Sequence, residues 1–421
     1  MNYYLYTNKI FIYATKMNKY ILVTQFFPPD PTAVGQQVYD LALSMSKKKI
    51  DTEVLTSNSN YNNPKIKYKS KIINKYFHVK RLPISNLGKK NIFCRIGGQV
   101  FFILICFFYL KFFTKNNYTL VITTSPSISS ILGTILNFLN NKLKIIYWVS
   151  DINPDQSVKL NIFKKNNFFV KVLTFFEKEI LKRSAKIITL DNYMKENLKK
   201  KIVNFDSKIK VIPPWCHEEK INNVKLDKNY FIKKYNLIDK FIVIYSGNHS
   251  VANPLITFFK SAKVLEKISK IQFVFIGEGN IKTELASFKE SNKLKNILML
   301  PYVSLNQLKH VLSAADLNLV STGNTMRGII HTSKHYSFLK MGKPFLYLGP
   351  KNSSIGIFIK KNKIGWQVDH NDVQKCSSII KKIFLLKKTS HRKNHTKITK
   401  IYNKLYRRKK LINDLIKNIL F

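Results

Sequence analysis

The chain is short of acid. Its 421 residues carry 23 Asp+Glu against 72 Lys+Arg, a formal net charge of +49. Cysteine is scarce as well. Cys94, Cys106, Cys216 and Cys376 lie far apart, with no Cys-x-x-Cys pair and no His at zinc spacing. That excludes a disulfide scaffold and a thiolate zinc centre, and a reducing compartment is the simplest setting. Neither Gly-x-Gly-x-x-Gly nor a phosphate-binding P-loop is present, which disfavours a dehydrogenase or a nucleoside triphosphatase. Helix-turn-helix spacing, zinc fingers and RNA-binding signatures are also missing, so the charge has no reading element for nucleic acid beside it. The piece Ile10-Phe11-Ile12-Tyr13-Ala14 is too short for a secretory core and lacks a cleavage site. Residues 1–16 read as a dispensable extension, with a cleaner pattern starting at Met17.

What is present points to a packed enzyme. Hydrophobic residues make up 45% and aromatics 13%, enough for a sizeable core and too much for a disordered chain. Lys, Asn, Ile and Phe are used heavily, as an AT-rich genome would produce, so part of the charge reads as compositional drift. The other readings of the charge are an anionic membrane face or phosphate-bearing substrates. The strongest apolar segment runs over 96–110, between Arg95 and Lys111 and interrupted by Gln99. At about 15 residues it falls short of the roughly 20 a spanning helix needs. It reads as a core helix, a surface helix or a short span; a partly exposed helix dipping into a bilayer face is favoured.

The rest alternates strand and helix. Tyr20-Ile21-Leu22-Val23 is a short apolar run. A Pro-rich loop follows, and then Val38, Leu41, Ala42 and Met45 share one helical face. Further strands are expected at 53–56, 120–123, 144–149, 186–190 and 211–215, with a helix at 175–183. A polar stretch at 220–240 reads as a linker. The pattern restarts at Phe241-Ile242-Val243-Ile244-Tyr245 and continues with strands at 272–276, 296–300, 317–320 and 345–348. The tail beyond about 372 is helical and basic. The fold class expected is α/β, with two Rossmann-like doubly wound domains facing across a cleft: 17–219 and 241–395, followed by a basic C-terminal helix at 396–421. Polar and glycine residues gather just after the strands, where open α/β sheets bind ligands.

Seven of these segments, in order, resemble the family 4 glycosyltransferases of the GT-B arrangement. They are Phe27-Pro28-Pro29-Asp30 through Gly35, Thr124-Ser125-Pro126, Asp151-Ile152-Asn153-Pro154-Asp155 and Val211-Ile212-Pro213-Pro214-Trp215, then Tyr245-Ser246-Gly247-Asn248, Phe275-Ile276-Gly277-Glu278-Gly279, and Thr332-Ser333-Lys334-His335-Tyr336 through Gly342-Lys343-Pro344. The similarity is to the bacterial branch that builds surface polysaccharides of the colanic acid and O-antigen type. It implies a hexosyltransferase-type enzyme that moves a sugar from a nucleotide diphosphate sugar to a lipid-linked saccharide, retaining and metal-independent, on the cytoplasmic face of the membrane. The nucleotide sugar is a co-substrate, and no further cofactor is implied. The lack of an Asp-x-Asp triplet agrees with the absence of a metal. Partners implied are the nucleotide sugar, the lipid-linked acceptor and an anionic membrane surface, not nucleic acid.

Such a reaction builds charge on a diphosphate leaving group, which fixed donors must meet. The resemblance puts Gly35, Gly247 and Asn248 at the phosphates or sugar, with Gly247 opening a helix. It makes Lys334 the diphosphate cation and Arg327 a second candidate. Glu278 and Tyr302 fall beside the nucleotide. Asp151 falls at the acceptor, either taking its proton or orienting it; its plainer role would be to cap the next turn. Many family members carry two Glu at the positions of Ile329 and Ser337 here, the second holding the donor ribose. Ser337 keeps only a hydroxyl for that task. His249, His331 and His335 lie near the donor side and receive no role. The alternatives are another GT-B enzyme, such as a nucleotide-sugar epimerase, or a degenerate binding subunit.

Overall fold

Val- and Ile-rich runs bounded by turns make strands that are buried on both faces, and such strands pair in parallel. The computed structural model describes residues 19–30, 32–60, 63–83, 86–88, 92–114, 117–202, 206–216, 221–386 and 391–420. The N-terminal extension at 1–16 and the Met17 start lie outside these residues. The first sheet has the order β3-β4-β2-β1-β5-β6-β7-β8, and the second β11-β10-β9-β12-β13-β14. The strands of the first are β1 (Lys19–Val23), β2 (Thr52–Ser57), β3 (Lys71–Asn74), β4 (Phe77–Leu82), β5 (Tyr118–Thr123), β6 (Lys144–Trp148), β7 (Lys186–Thr189) and β8 (Ile209–Val211). Those of the second are β9 (Phe241–Ser246), β10 (Ile271–Ile276), β11 (Ile297–Leu300), β12 (Leu317–Ser321), β13 (Phe345–Leu348) and β14 (Gly365–Val368). All pairs are parallel except β3 with β4.

Helices in the first half are α1 (Ala33–Lys47), α2 (Ile92–Phe112), α3 (Ser129–Leu139), α4 (Asn153–Lys159), α5 (Phe168–Arg183) and α6 (Asn192–Lys199). In the second half they are α7 (Tyr230–Lys234), α8 (Ile256–Val264), α9 (Lys282–Ser291), α10 (Leu305–Ala314), α11 (Lys334–Lys340), α12 (Ser354–Asn362), α13 (Val373–Leu385), α14 (His391–Leu405) and α15 (Arg408–Ile419). Val38, Leu41, Ala42 and Met45 of α1 are fully buried, as the spacing predicts. A large core cluster fills the first half, and the second half has three, spread over both faces of its sheet.

Three expectations need correction. The apolar helix is 21 residues long, not 15. It rises about 31 Å, since each helical residue adds about 1.5 Å. By length and composition it could cross a membrane, yet Phe102, Ile103, Cys106 and Leu110 seat one face of it in the core. The linker at 220–240 is not a bare connector. It carries α7, whose Phe231 and Ile232 pack under the second sheet with Ile242 and Val274. The tail is two helices rather than one. Ile398 and Tyr402 of α14 join the core beside α11, whereas Leu411, Ile412, Leu415, Ile416 and Ile419 of α15 are buried in the first half's core. The chain thus crosses back, and the Asp40 carboxylate of α1 accepts from Trp215 Nε1 at 2.8 Å and pairs with Arg408 at 3.4 Å.

Candidate active site

Two loops at the carboxyl end of the second sheet are held in contact by glycine. Gly247, after β9, has φ +148°, and Gly279, after β10, has φ +153°, backbone that L side chains rarely adopt. A Cβ on Gly247 would collide with Lys334 Cε and Nζ, and one on Gly279 with the His249 carbonyl. Hydrogen bonds from Gly247 N to the Ile276 carbonyl (2.8 Å) and from His249 N to the Glu278 carbonyl (2.9 Å) tie the loops together. The expectation that Gly247 opens a helix is corrected here. α8 begins only at Ile256, and the Gly247 amide is already committed to Ile276.

Lys334 opens α11 and leans across this floor. Its Nζ donates to the Tyr245 hydroxyl at 2.6 Å and lies 4.0 Å from that ring's centre. Tyr245 in turn donates to the Asn248 carbonyl at 2.9 Å. Among the described residues no carboxylate pairs with Lys334. Burial therefore pushes its ammonium pKa down to about 7. A half-buried cation without a counter-ion is a place for an anion. In the sequence Tyr245 ends a strand and opens the 245–248 segment, and no local pattern marks it as the platform for the lysine.

Asn248 is exposed at the rim, Glu278 forms an exposed pair with Lys282 (2.7 Å), and the Tyr302 hydroxyl donates to the Glu278 carbonyl at 3.3 Å. These residues thus gather around Lys334. Ser337 stands one turn further along α11, half-buried. Arg327 is turned elsewhere, its guanidinium 4.9 Å from the Tyr193 ring of α6 and 3.4 Å from the Asn352 carbonyl. Gly35 lies buried in the first turn of α1, where a Cβ would collide with the Phe26 carbonyl, so loop packing alone requires glycine. His249 is fully buried with both ring nitrogens unpartnered among the described residues. Burial, then the charges of Lys334 and Lys282, push its pKa down to about 4.

Asp151 belongs to the first half. It follows β6, and Thr124 Oγ1 accepts from the Ser150 and Asp151 amides at 3.0 and 3.2 Å. Burial raises its carboxyl to about 6, against the lowering pull of His331. It pairs as an isolated β-bridge with Ile330 of the second half, and Ile152 N donates to the Ile329 carbonyl at 2.9 Å. Ile329 itself is buried in the first half's core. A cavity of about 270 Å³ lies beside this junction, lined by Asp191, His331, Tyr336, Phe358 and Tyr406. Another, of about 330 Å³, is lined by Pro344, Gly365 and Trp366 at the amino ends of β13 and β14, away from these groups.

The chain matches no protein-family model and no curated protein in sequence. Solved structures resemble it over nearly its whole length. Sucrose-phosphate synthase from Thermosynechococcus elongatus superposes with a TM-score of 0.74 at 13% identity, covering 95% of this chain and 98% of that one. Anabaena HepE in complex with UDP and glucose gives 0.70 at 12%, covering 96% and 99%. WaaG, a glycosyltransferase involved in lipopolysaccharide biosynthesis, gives 0.69 at 12%, covering 95% and 99%. The fold is GT-B. In GT-B terms, the Lys334 floor belongs to the C-terminal domain and Asp151 to the N-terminal domain, at the strand ends where ligands of α/β sheets bind.

Proposed function

We propose that the chain is a glycosyltransferase that moves a sugar from a nucleotide diphosphate sugar to a lipid-linked saccharide, in cell-surface polysaccharide synthesis at the inner face of the cell membrane. The observation that carries this reading is Lys334, a half-buried cation with no acidic partner among the described residues, resting on the Gly247 floor. A diphosphate supplies the missing counter-charge. As the anomeric bond breaks, the added charge on the leaving oxygen is met by Lys334 already in place. The UDP and glucose held by HepE, on the same fold, support the donor class.

Asp151, with its carboxyl raised to about 6, would be largely ionised at neutral pH and suited to orient the acceptor hydroxyl or take its proton. The reading assigns retention, with the donor phosphate as the alternative proton acceptor, and no metal. Glu278, Tyr302 and Asn248 would line the nucleotide side, and Ser337 would hold a ribose hydroxyl. Gly35 and Arg327 are the weakest members of the set, each having a packing role of its own. The position of Ile329 is closed to any donor-binding carboxylate, because its side chain is sunk in the N-terminal domain.

The membrane assignment rests on one face of that domain. Phe101, Leu104, Phe108 and Phe112 of α2 are exposed, joined by Phe138 and Leu139 of α3 and Phe168 and Phe169 of α5. Neither α2 nor α3 holds an acidic residue, and the two in α5, Glu177 and Glu179, are paired with basic groups. Exposed apolar area with unopposed lysine beside it suits an anionic bilayer surface. The deciding experiment is NMR titration with UDP-, GDP- and ADP-sugars, followed by transfer assays on lipid-linked acceptors. One nucleotide should bind and be lost in Gly247→Trp. No binding to any of the three would end the transferase reading.

A further inference from the structure

Three side chains that the reaction outlined above does not use are linked in a chain from one domain to the other. Asp191 caps the start of α6 in the N-terminal domain, accepting from Met194 N at 2.8 Å. Its other oxygen meets His331 Nδ1 of the C-terminal domain at 2.8 Å. His331 Nε2 meets the Tyr336 hydroxyl on α11 at 2.9 Å. The His331 and Tyr336 rings stack with their planes 19° apart. Burial opposes the charge on Asp191, but the hydrogen bonds and charge of His331, with Met194 and Ser354, outweigh it and hold the carboxyl below its ordinary range. An ionised carboxylate only accepts, so Nδ1 carries a proton, and in the neutral ring Nε2 accepts from Tyr336.

His331 sits in a short segment that both domains grip. On its N-terminal side, Ile329 is buried in the N-terminal domain's core and its carbonyl accepts from Ile152 N. The Arg327 and Gly328 carbonyls accept from Asn197 Nδ2 of α6 at 3.2 and 3.0 Å. On its C-terminal side the segment runs into α11, whose first residue is Lys334. One stretch of chain therefore touches the loop of Asp151 at one end and carries Lys334 at the other. Side-chain hydrogen bonds in so buried a place have defined geometry, with His331 only 4% and Asp191 12% exposed.

We infer that His331 is a positioning residue, an interdomain latch that holds the Asp151 loop and the Lys334 helix in register across the cleft. The catalytic half of this inference rests on the transferase reading. The latch itself rests only on the Asp191–His331–Tyr336 geometry. A misplacement of about 1 Å between reacting groups costs on the order of a hundredfold in rate, which is the scale at which such a latch would matter.

The two bonds of His331 can be cut separately. In His331→Asn the amide nitrogen stands where Nδ1 stood, keeping Asp191 and losing Tyr336. In His331→Gln the amide reaches the place of Nε2, keeping Tyr336 and losing Asp191. Hydrogen–deuterium exchange at the Ile152 amide reads the domain junction without any substrate. We expect exchange there about tenfold faster in His331→Gln and unchanged in His331→Asn, with the amides of β6 and β13 protected in both. Steady-state transfer should show kcat lowered about tenfold or more in His331→Asn with the nucleotide-sugar KM little changed, because Lys334 is held from one side only. Identical Ile152 exchange in the two variants, both like the unmodified protein, would overturn the latch. Unmodified kcat in His331→Asn would overturn its role in positioning. If the unmodified protein turns over no nucleotide sugar, the transferase reading falls instead, and the exchange comparison alone decides whether the latch exists.

Discussion

The two domains share an architecture and differ in what they do with their surface. The C-terminal domain closes its strand ends tightly, with Gly247, Gly277 and Gly279 packing two loops until a single methyl group would not fit between them. The N-terminal domain leaves a broad apolar face uncovered on α2, α3 and α5 and brings a carboxyl, Asp151, to its junction with the other domain. Tight glycine loops under a bare cation suit a small anion of fixed shape. A wide apolar and basic face suits an extended partner. The same doubly wound plan therefore serves a pocket on one side and a surface on the other.

The largest effect expected tests whether the two are mechanically joined by the returning tail. Leu415 is fully buried in the N-terminal domain's core, although its chain has just left the C-terminal one. Leu415→Ala should lower stability by about 2–5 kcal/mol, the range for leucine truncation in a packed core. The urea midpoint should fall accordingly, and an unchanged midpoint would mean that α15 is not part of that core. Next is the pocket. Lys334→Ala removes a charged hydrogen-bond donor worth about 1.5–3 kcal/mol, so nucleoside diphosphate affinity should drop about tenfold to a hundredfold. Retained affinity in a folded Lys334→Ala would put the anion elsewhere.

Much of this contrast was legible in the sequence, for physical reasons that also mark its limit. Strands such as Phe241–Ser246 are buried on both faces and read as unbroken apolar runs. Lys71–Asn74 is an exposed edge strand with no alternation, and neither it nor Phe77–Leu82 nor Gly365–Val368 is an unbroken apolar run. The site residues after β9 and β10 stood out because glycine and acid interrupt apolar runs there. Tyr245 did not, because its hydroxyl acts from within a strand. The Asp191–His331 bond joins residues 140 apart, and no local pattern announces it. Arg95 and Lys111 bound the apolar run in the sequence, whereas α2 continues through both charges to Ile92 and Phe112.

The surface is tested by removing apolar area from it without touching the core. Phe101 and Phe108 are 44% and 52% exposed, whereas Phe107 is partly buried against the core and is the wrong residue to change. Phe101→Ser with Phe108→Ser should reduce binding to vesicles of anionic lipid by about tenfold or more, since each exposed phenylalanine carries up to about 1.5–3 kcal/mol of transfer free energy. Phe138→Ser with Phe169→Ser should weaken it further if the face spans three helices. High salt should weaken what remains, because the lysine contribution is screened within about 10 Å at 0.1 M. Full retention on vesicles after all four changes, with the fold intact by circular dichroism, would show that this face is not what binds them.

The smallest effect is also the most specific to Lys334. Burial lowers its pKa to about 7, well under the ordinary value for lysine. A bound diphosphate favours the ammonium form and raises that pKa again. Below pH 7 the lysine is charged before the ligand arrives, and affinity is at its full value. Above pH 7 binding must first take up a proton, so affinity falls by at most about tenfold per pH unit until the pKa of the complex is reached. Isothermal titration calorimetry of a nucleoside diphosphate in buffers of different ionisation enthalpy would show this as net proton uptake at pH 8 and much less at pH 6. Lys334→Arg should bind without the slope, since the guanidinium stays charged throughout. A slope of equal size in Lys334→Arg would assign the proton to another group.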